Sequence, residues 1–429
     1  MRFLGLHAFA AVASLAVGAP SSHFLDPWTP RQLEELTMKL SADASVYWPG
    51  SEEFAKATER WSALQAPTVN IVVVPSSERD VSETVKFANR IRVPFLAYNG
   101  AHGSITTLGR MKGGIEIWMR KLSGVAIAED GTTATIGGEL WWAMNGAGHN
   151  FGIVTSLTAR IYDVQHRDWA IETLTFSGDK IEAVYQAANQ HMLQNGSQPV
   201  DVINWSYWQN SPDLDKDKPV IVFYIIQEGV RTVDSLYTKP FRDIGPLSVE
   251  PASGTYTDLA AWTGIALGSP PCRNTGFANP RFPIYLDSFN VSAQREAFEV
   301  FARATHENAN FSNSLFMFEG FSQHGVRAFH DRSSAFAYRG DNLLAAPLIS
   351  YKPAGAELDR SAKALGEHLR SILHNGSGRA ALHVYVNYAY GDETRRQWYG
   401  DNECRQGRLS TLKAKFDPDN RFGFFASIA

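Results

Sequence analysis

The chain is predicted to be an α+β protein of two lobes, and three observations carry that reading. Its 429 residues and 47.5 kDa exceed what one hydrophobic core normally supports. From Thr68 a short β-branched run, VNIVVVP, is followed by a helical stretch and then a second short run, FLAY, which is a β-α-β order. From Tyr162 to about Ala381, alternating apolar runs are interleaved with helical periodicities, as expected of an antiparallel sheet covered by helices.

Taken in order, Met1 to Pro20 carries one positive charge at Arg2, an apolar run and then small residues. That is the layout of a secretory signal peptide spanning residues 1–19. Residues 20–66 form an N-terminal helical segment. One helix opens at Thr29-Pro30, with Pro in the first turn and Glu34 and Glu35 early, and a second is expected from Ser51 to Leu64. In residues 67–165 the strand ending at Pro75 leads to Ser77 and Asp80, a capping-box spacing, and helical periodicity runs to Arg92. After FLAY the chain turns through Asn99-Gly100-Ala101-His102-Gly103-Ser104, placed where such folds bind ligands.

Glu139 to Ser156, ELWWAMNGAGHNFGIVTS, carries most of the information about a site. Bulky residues Leu140 to Met144 read as helix, and Phe151 to Val154 are β-prone. Between them Gly146, Gly148 and Gly152 let the backbone take positive φ and let a ligand come close to its amides. A G-x-G alone is more often a plain tight turn.

In residues 166–380, strands are expected at Ala170 to Phe176, Val202 to Trp208, Val220 to Ile226 and Ser314 to Phe318, on a sheet with one wet face. Helices at Asp179 to Leu193, Val291 to Asn308 and Gly355 to Leu373 would cover the other face. Trp205, Tyr207 and Trp208 are candidates to line an aromatic cleft, although aromatics on a strand are more often core. Residues 381–429 close the chain. In an extended run, Tyr385 and Asn387 would share one face and Val386 and Tyr388 the other.

Composition excludes several functions. A net charge of −4 and a pI near 6.3 give no basic surface for nucleic acid or anionic membrane. No H-E-x-x-H, C-x-x-C, G-x-x-x-x-G-K-S/T or G-x-S-x-G occurs, and the 12 histidines are scattered without metal-ligand spacing. Five N-x-S/T sequons, at Asn195, Asn204, Asn290, Asn310 and Asn375, fit the secretory route. Cys272 and Cys404 are the only cysteines. A bridge between them would be worth about 4–5 kcal/mol by loop entropy, and two free thiols are the other reading.

The segment from Leu140 to Thr155 resembles, almost without a break, the G-x-G-x-N-F-G-I-V-T segment of FAD-linked oxidases of the vanillyl-alcohol oxidase and berberine-bridge-enzyme class. The tail HVYVNYAYGD and RLSTLKAKFDPDNRFGF is similar to the closing segment of the same class, and FEGFS, GVRAF and SSAFAYRGDNLL follow its cadence. The resemblance implies a PCMH-type FAD-binding lobe beside an α+β substrate lobe. It also implies flavin contacts from Asn99, Gly100, Ala101, His102, Gly103 and Ser104, from Gly146, Gly148, Asn150, Phe151, Gly152, Ile153 and Val154, and from Asn387. His102 would be the histidine bonded to the flavin 8α carbon. Ala101 replaces the usual second glycine, which a negative φ there would tolerate. Tyr385 or Tyr388 would be the base that draws a substrate proton, provided its surroundings lower its pKa. The implied reaction is oxidation of a C–H beside oxygen or nitrogen in a small organic molecule, with electrons returned to O₂. Such enzymes often serve natural-product pathways.

One departure is large. At Gly137-Gly138 the class continues through a long block with a second glycine-rich turn and, in doubly attached members, a cysteine bonded to the flavin. Here Gly138 runs straight into Glu139-Leu140-Trp141, and no cysteine precedes Cys272. Losing inner strands leaves edges unpaired and apolar faces wet. Three readings follow: neighbouring segments close the gap, FAD binds poorly, or the sequence skips an exon. The functional alternative is a flavin-free relative that serves as a binding module or guides a non-redox cyclisation.

Overall fold

Thr29 starts the first helix, Pro30–Lys39, with a full capping box: its side chain accepts from the Gln32 N–H, and the Gln32 side chain accepts from its own N–H. This computed structural model describes residues 29–123, 138–157, 162–193 and 196–429. The expected signal peptide, the sequon at Asn195 and the run from residue 124 to the Gly138 junction lie outside them.

The first sheet has four strands, Ser45–Tyr47 (β1), Val69–Val74 (β2), Phe95–Tyr98 (β3) and Gly114–Trp118 (β4), in the order β1-β2-β4-β3. The expected β-α-β unit is present, with β4 inserted between its two strands and parallel to both. Its helix, Glu78–Arg90, begins at the Ser77–Asp80 capping box. The strand β1 pairs with β2, so residues 20–66 contribute a strand as well as helices. The helix expected from Ser51 to Leu64 is only Glu52–Ala57 long. Beyond it, long-range partners replace helical bonds. Arg60 pairs with the buried Glu116 of β4, the Trp61 N–H donates to Ala101 O at 3.3 Å, and Trp61 Nε1 donates to Pro271 O at 2.8 Å.

The second sheet has seven strands, all antiparallel: Trp169–Phe176 (β5), Val202–Ser211 (β6), Asp215–Glu228 (β7), Ser248–Gly254 (β8), Ile284–Leu286 (β9), Leu315–Gly320 (β10) and Leu343–Leu348 (β11). Their order is β8-β5-β7-β6-β10-β11-β9. The helices Ile181–His191, Val291–Glu307 and Ala356–Ser377 fall where periodicity placed them and share one core with the sheet. Trp208 belongs to that core, fully buried with Nε1 donating to the Tyr185 hydroxyl at 2.9 Å, and so lines no cleft.

The opposite face was expected to be wet and is not. Ile171, Val220, Val222, Tyr224 and Ile226 are buried there, with Trp205, Tyr207 and the short helix Leu259–Trp262 packed on them. Asn204 is also buried, with Nδ2 donating to Tyr224 O, which leaves no room for a glycan. The sequon asparagines Asn290, Asn310 and Asn375 are exposed. Cys272 and Cys404 are exposed free thiols.

Candidate active site

The stretch 138–157 is shaped by its glycines and by the C-terminal tail. The helix Gly138–Ala147 is broken at Asn145 and at Gly146, whose φ is 128°. A Cβ on Gly146 would lie 2.4 Å from the Phe336 nitrogen, so both the backbone angle and the neighbour demand glycine. Phe151 to Val154, read as β-prone, pair with no strand among the described residues.

Asn150 and Phe151, expected at the flavin, lie behind the wall of the site in a cluster with Trp142, Tyr399, Leu409 and Ile428. Asn150 is fully buried. Its Nδ2 donates to the Tyr399 hydroxyl (2.9 Å) and to Ala426 O (3.2 Å), and its Oδ1 accepts from the Ile428 N–H (2.9 Å). Lys413, paired with Asp417 at 2.6 Å, donates to the Asn150 carbonyl at 2.9 Å. These bonds tie the glycine-rich turn to the tail.

In front of that knot two cavities adjoin. One of about 370 Å³ is lined by the end of β3, by Asn99, by 152–155 and by Arg421, Phe424 and Phe425 of the tail. The other, about 410 Å³, is lined by Gly146, Gly148, Phe336, Tyr338, Tyr385 and Asn387 among others. His149, Gly152 and Val154 line both, and neither lining contains an Asp or Glu. His149 bonds the Tyr399 hydroxyl at 2.7 Å, and burial lowers its pKa to about 4, so it is neutral at neutral pH. A Cβ on Gly152 would meet nothing within 4 Å, which leaves its backbone open to a ligand.

These residues fit FAD. The cleft is two-chambered, sits at the C-terminal end of a parallel strand, offers aromatic faces at Tyr98, Phe424, Phe425 and Tyr385, and sets Arg421 and no carboxylate toward an anionic pyrophosphate.

The loop 99–104 is arranged differently from expectation in one respect. Ala101 has φ +53°, the left-handed region, where the sequence reading required a negative value. The Ala101 carbonyl is held there by the Trp61 N–H. His102 is exposed and folds back on Gly100, where a Cβ would lie 2.7 Å from its Nε2. Gly103 abuts Phe425, where a Cβ would lie at 3.4 Å, and Ser104 is buried. Of the six loop residues, Asn99 lines a cavity.

Tyr385 and Tyr388 do not occupy opposite faces of a strand. Val386–Tyr388 is a 3₁₀ turn, in which positions three apart are in line, so the two rings pack at 5.1 Å. Asn387 Nδ2 donates to the Tyr385 hydroxyl at 2.9 Å. The Tyr388 hydroxyl donates to Oε1 of Glu319, in β10, at 3.0 Å. Burial and then Glu319 raise the Tyr388 pKa, the reverse of what a tyrosine base requires. Burial also raises Glu319, partly offset by the Tyr388 hydrogen bond and by Arg281. Glu319, which accepts the Tyr388 hydrogen bond, is a candidate site residue that sequence reasoning missed. Its signal was a carboxylate inside the apolar strand LFMFEG. Arg281, between the rings of Trp61 and Tyr388, likewise meets its neighbours across long sequence separations.

Comparison with known proteins agrees with this geometry. A family model described as an FAD binding domain matches residues 69–160, and one described as berberine and berberine like matches residues 384–429. Those two stretches supply most of the cavity walls. FAD-linked oxidoreductase chyH of Penicillium rubens is 47% identical over 502 aligned positions, covering 100% of both chains. FAD-linked oxidoreductase chry5 of Gibberella zeae is 42% identical over 507 positions, covering 99% of this chain and 100% of its own. Among solved structures, BBE-like 1 of Physcomitrella patens superposes with a TM-score of 0.75 at 15% identity, over 93% of this chain and 99% of its own. A berberine bridge enzyme variant bound to (S)-reticuline gives a TM-score of 0.73 at 13% identity, over 93% and 99%. The fold and cleft are those of a two-lobed flavoprotein. The chain belongs to the FAD-linked oxidoreductases of the berberine-bridge-enzyme-like family. The alignment with the Penicillium relative is 73 positions longer than the 429 residues of this chain, in keeping with the block missing at Gly138-Glu139.

Proposed function

We propose that the chain oxidises a C–H bond beside oxygen or nitrogen in a small organic molecule, and that the reaction is centred on Glu319 and Tyr388. The observation that carries this reading is the 3.0 Å hydrogen bond from Tyr388, on the closing tail, to Glu319, on the sheet face that meets it. FAD, when bound, supplies the hydride acceptor and passes the electrons to O₂. The residues that would hold it are Asn99, His149, Gly152 to Val154, Arg421, Phe424 and Phe425, with Tyr385 and Asn387 at the second chamber.

Glu319 lines neither chamber; it stands behind the edge of the second through Tyr388, whose neighbours Tyr385 and Asn387 line that chamber, and from there it would take the substrate proton. Burial raises its pKa above the ordinary carboxylate range, partly offset by the Tyr388 hydrogen bond and Arg281, which makes the carboxylate a stronger base. Tyr388 stays a phenol and steadies Oε1 of that carboxylate. Tyr385 accepts from Asn387, so its own O–H is left to donate to a substrate oxygen. His102 is the residue proposed to carry the flavin covalently. Entry into the secretory route through residues 1–19 is part of the same reading, tested by assaying culture medium against cell lysate.

The chemistry is tested by mixing the FAD-loaded protein anaerobically with a panel of small alcohols and amines, following loss of the yellow flavin band, then admitting air and measuring peroxide. A substrate found in this way should reduce Glu319→Gln roughly 100-fold more slowly than wild type. Wild-type rates in that variant, or no reduction by any compound with a loaded flavin, overturn the assignment. Flavin colour that stays with an acid-precipitated pellet in wild type and leaves it in His102→Ala supports the covalent link.

A further inference from the structure

On the substrate lobe a further cavity, of about 530 Å³, lies between the stretch 197–200 that leads into β6, the helix Ser235–Arg242 and the turn 322–328 that follows β10. It shares no lining residue with either chamber of the cleft, and its size is that of a small-molecule site. Two of its lining side chains are buried polar groups without partners. Gln198 is 4% exposed, and neither Oε1 nor Nε2 of its amide has a hydrogen-bond partner. Tyr237 is 9% exposed, and its hydroxyl makes no hydrogen bond among the described residues. The amide is seated on Gly320 of β10, where a Cβ would lie 2.6 Å from Gln198 Oε1. Successive residues of a strand face opposite sides, so this seat is across the sheet from the neighbouring Glu319.

The unmet groups say what would complete them. An amide that lacks both a donor to its oxygen and an acceptor for its N–H is satisfied by a group that can do both, and a hydroxyl can. The rest of the wall suits the same partner. Ser197 Oγ accepts from the Gln323 N–H and Ser322 Oγ from the His324 N–H, both at 3.4 Å, so each hydroxyl hydrogen is left to donate. Arg327 is pinned by three neutral oxygens, Gly196 O, Gly340 O and Asn342 Oδ1, and meets no carboxylate within 4 Å among the described residues. An anion would leave Gln198 Oε1 without a donor. It would also face Asp201 and Asp234, whose charges add to burial in raising the Tyr237 pKa and keep that group a phenol.

We propose that this cavity binds a neutral polyhydroxylated ligand, a sugar ring, through Gln198, Tyr237 and Arg327, at a site separate from the oxidation cleft. Hydroxyls of the ring donate to Gln198 Oε1 and accept from Gln198 Nε2, the Tyr237 O–H and Arg327. The amide turns toward them about its terminal torsion, which is broad in glutamine. Val200, 71% exposed at the rim, offers an apolar edge to the C–H face of the ring. The sugar is either free or the end of a longer glycan.

The test is ligand-observed NMR on the protein as purified, with glucose, mannose, galactose and N-acetylglucosamine titrated in turn and sulfate as the anionic control. At least one sugar should bind with a Kd of about 1 mM, and sulfate should not displace it. Tyr237→Phe and Gln198→Leu should each weaken that binding roughly tenfold. Neither should lower the urea midpoint, because the groups removed have no partner in the protein. An oligosaccharide that binds more tightly than its monomer marks a glycan end as the source, and equal affinity marks the free sugar; both uphold the site. Binding of none of the four sugars, sulfate binding in their place, or sugar binding unchanged in both variants overturns the proposal. So does a lowered midpoint in Tyr237→Phe, which would give the hydroxyl a structural partner. FAD uptake should be unaltered in both variants, and its loss would contradict the separation of the two sites.

Discussion

Replacing Asn150 with alanine removes the side chain that joins the glycine-rich turn to the C-terminal tail, and its cost can be worked bond by bond. Two of the three partners keep another. Ala426 O still accepts from the Tyr399 hydroxyl at 2.6 Å, and that hydroxyl still has His149 at 2.7 Å. The Ile428 N–H is the group left alone, in a residue 4% exposed. An orphaned buried donor costs roughly 1–3 kcal/mol. The small void left by the side chain adds about 1 kcal/mol. The expected loss is therefore roughly 2–4 kcal/mol, read from urea unfolding as a lower midpoint at unchanged slope. Asn150→Asp should also lose stability, because it turns an oxygen toward the Ala426 carbonyl. Because His149 and Gly152, on either side of Asn150, line both chambers, FAD affinity should fall by about tenfold or more. A stability change under about 0.5 kcal/mol, or unaltered FAD affinity, would refute the reasoning.

Three further outcomes are expected. Ala101→Gly should raise stability by about 0.5–1 kcal/mol, since the left-handed backbone at φ +53° strains alanine and suits glycine; a lower unfolding midpoint would contradict the loop geometry. Tyr388→Phe removes the hydrogen bond that lowers the Glu319 pKa, so that pKa rises further and flavin reduction should begin at higher pH; a pH profile that stays put or moves to lower pH argues against Glu319 as the base. Asp80 is opposed by burial but held down to about 2, from an ordinary 3.8, by hydrogen bonds from Ser41, Ser76 and Ser77. Its stabilising effect is complete above about pH 4 and is lost as pH falls toward 2, and Asp80→Asn should flatten that slope in acid unfolding curves.

How much was legible in the sequence depended on the range of the interaction. Capping boxes at Thr29 and Ser77, the runs of β2 and β3, and the helices at 181–191, 291–307 and 356–377 are set by neighbours within a few residues, and periodicity found them. The helix expected through Leu64 stopped at Ala57 because Arg60 and Trp61 bond to groups far along the chain. The same limit hid the site. Glu319 meets Tyr388 across 69 positions, and Asn150 meets Ile428 across 278. Motif resemblance found the turn and the tail without showing that Asn150 serves the junction between them. A 3₁₀ turn at Val386–Tyr388 could not be told from a strand, since three residues are too short for either period.

FAD titration of the purified, folded chain tests most directly whether FAD is held between the first lobe and the tail despite the shortened middle. Quenching of flavin fluorescence that saturates at one FAD per chain, with a bound visible spectrum, and that weakens in Asn150→Ala, is the expected result. A folded protein that neither carries flavin nor takes up added FAD would contradict it.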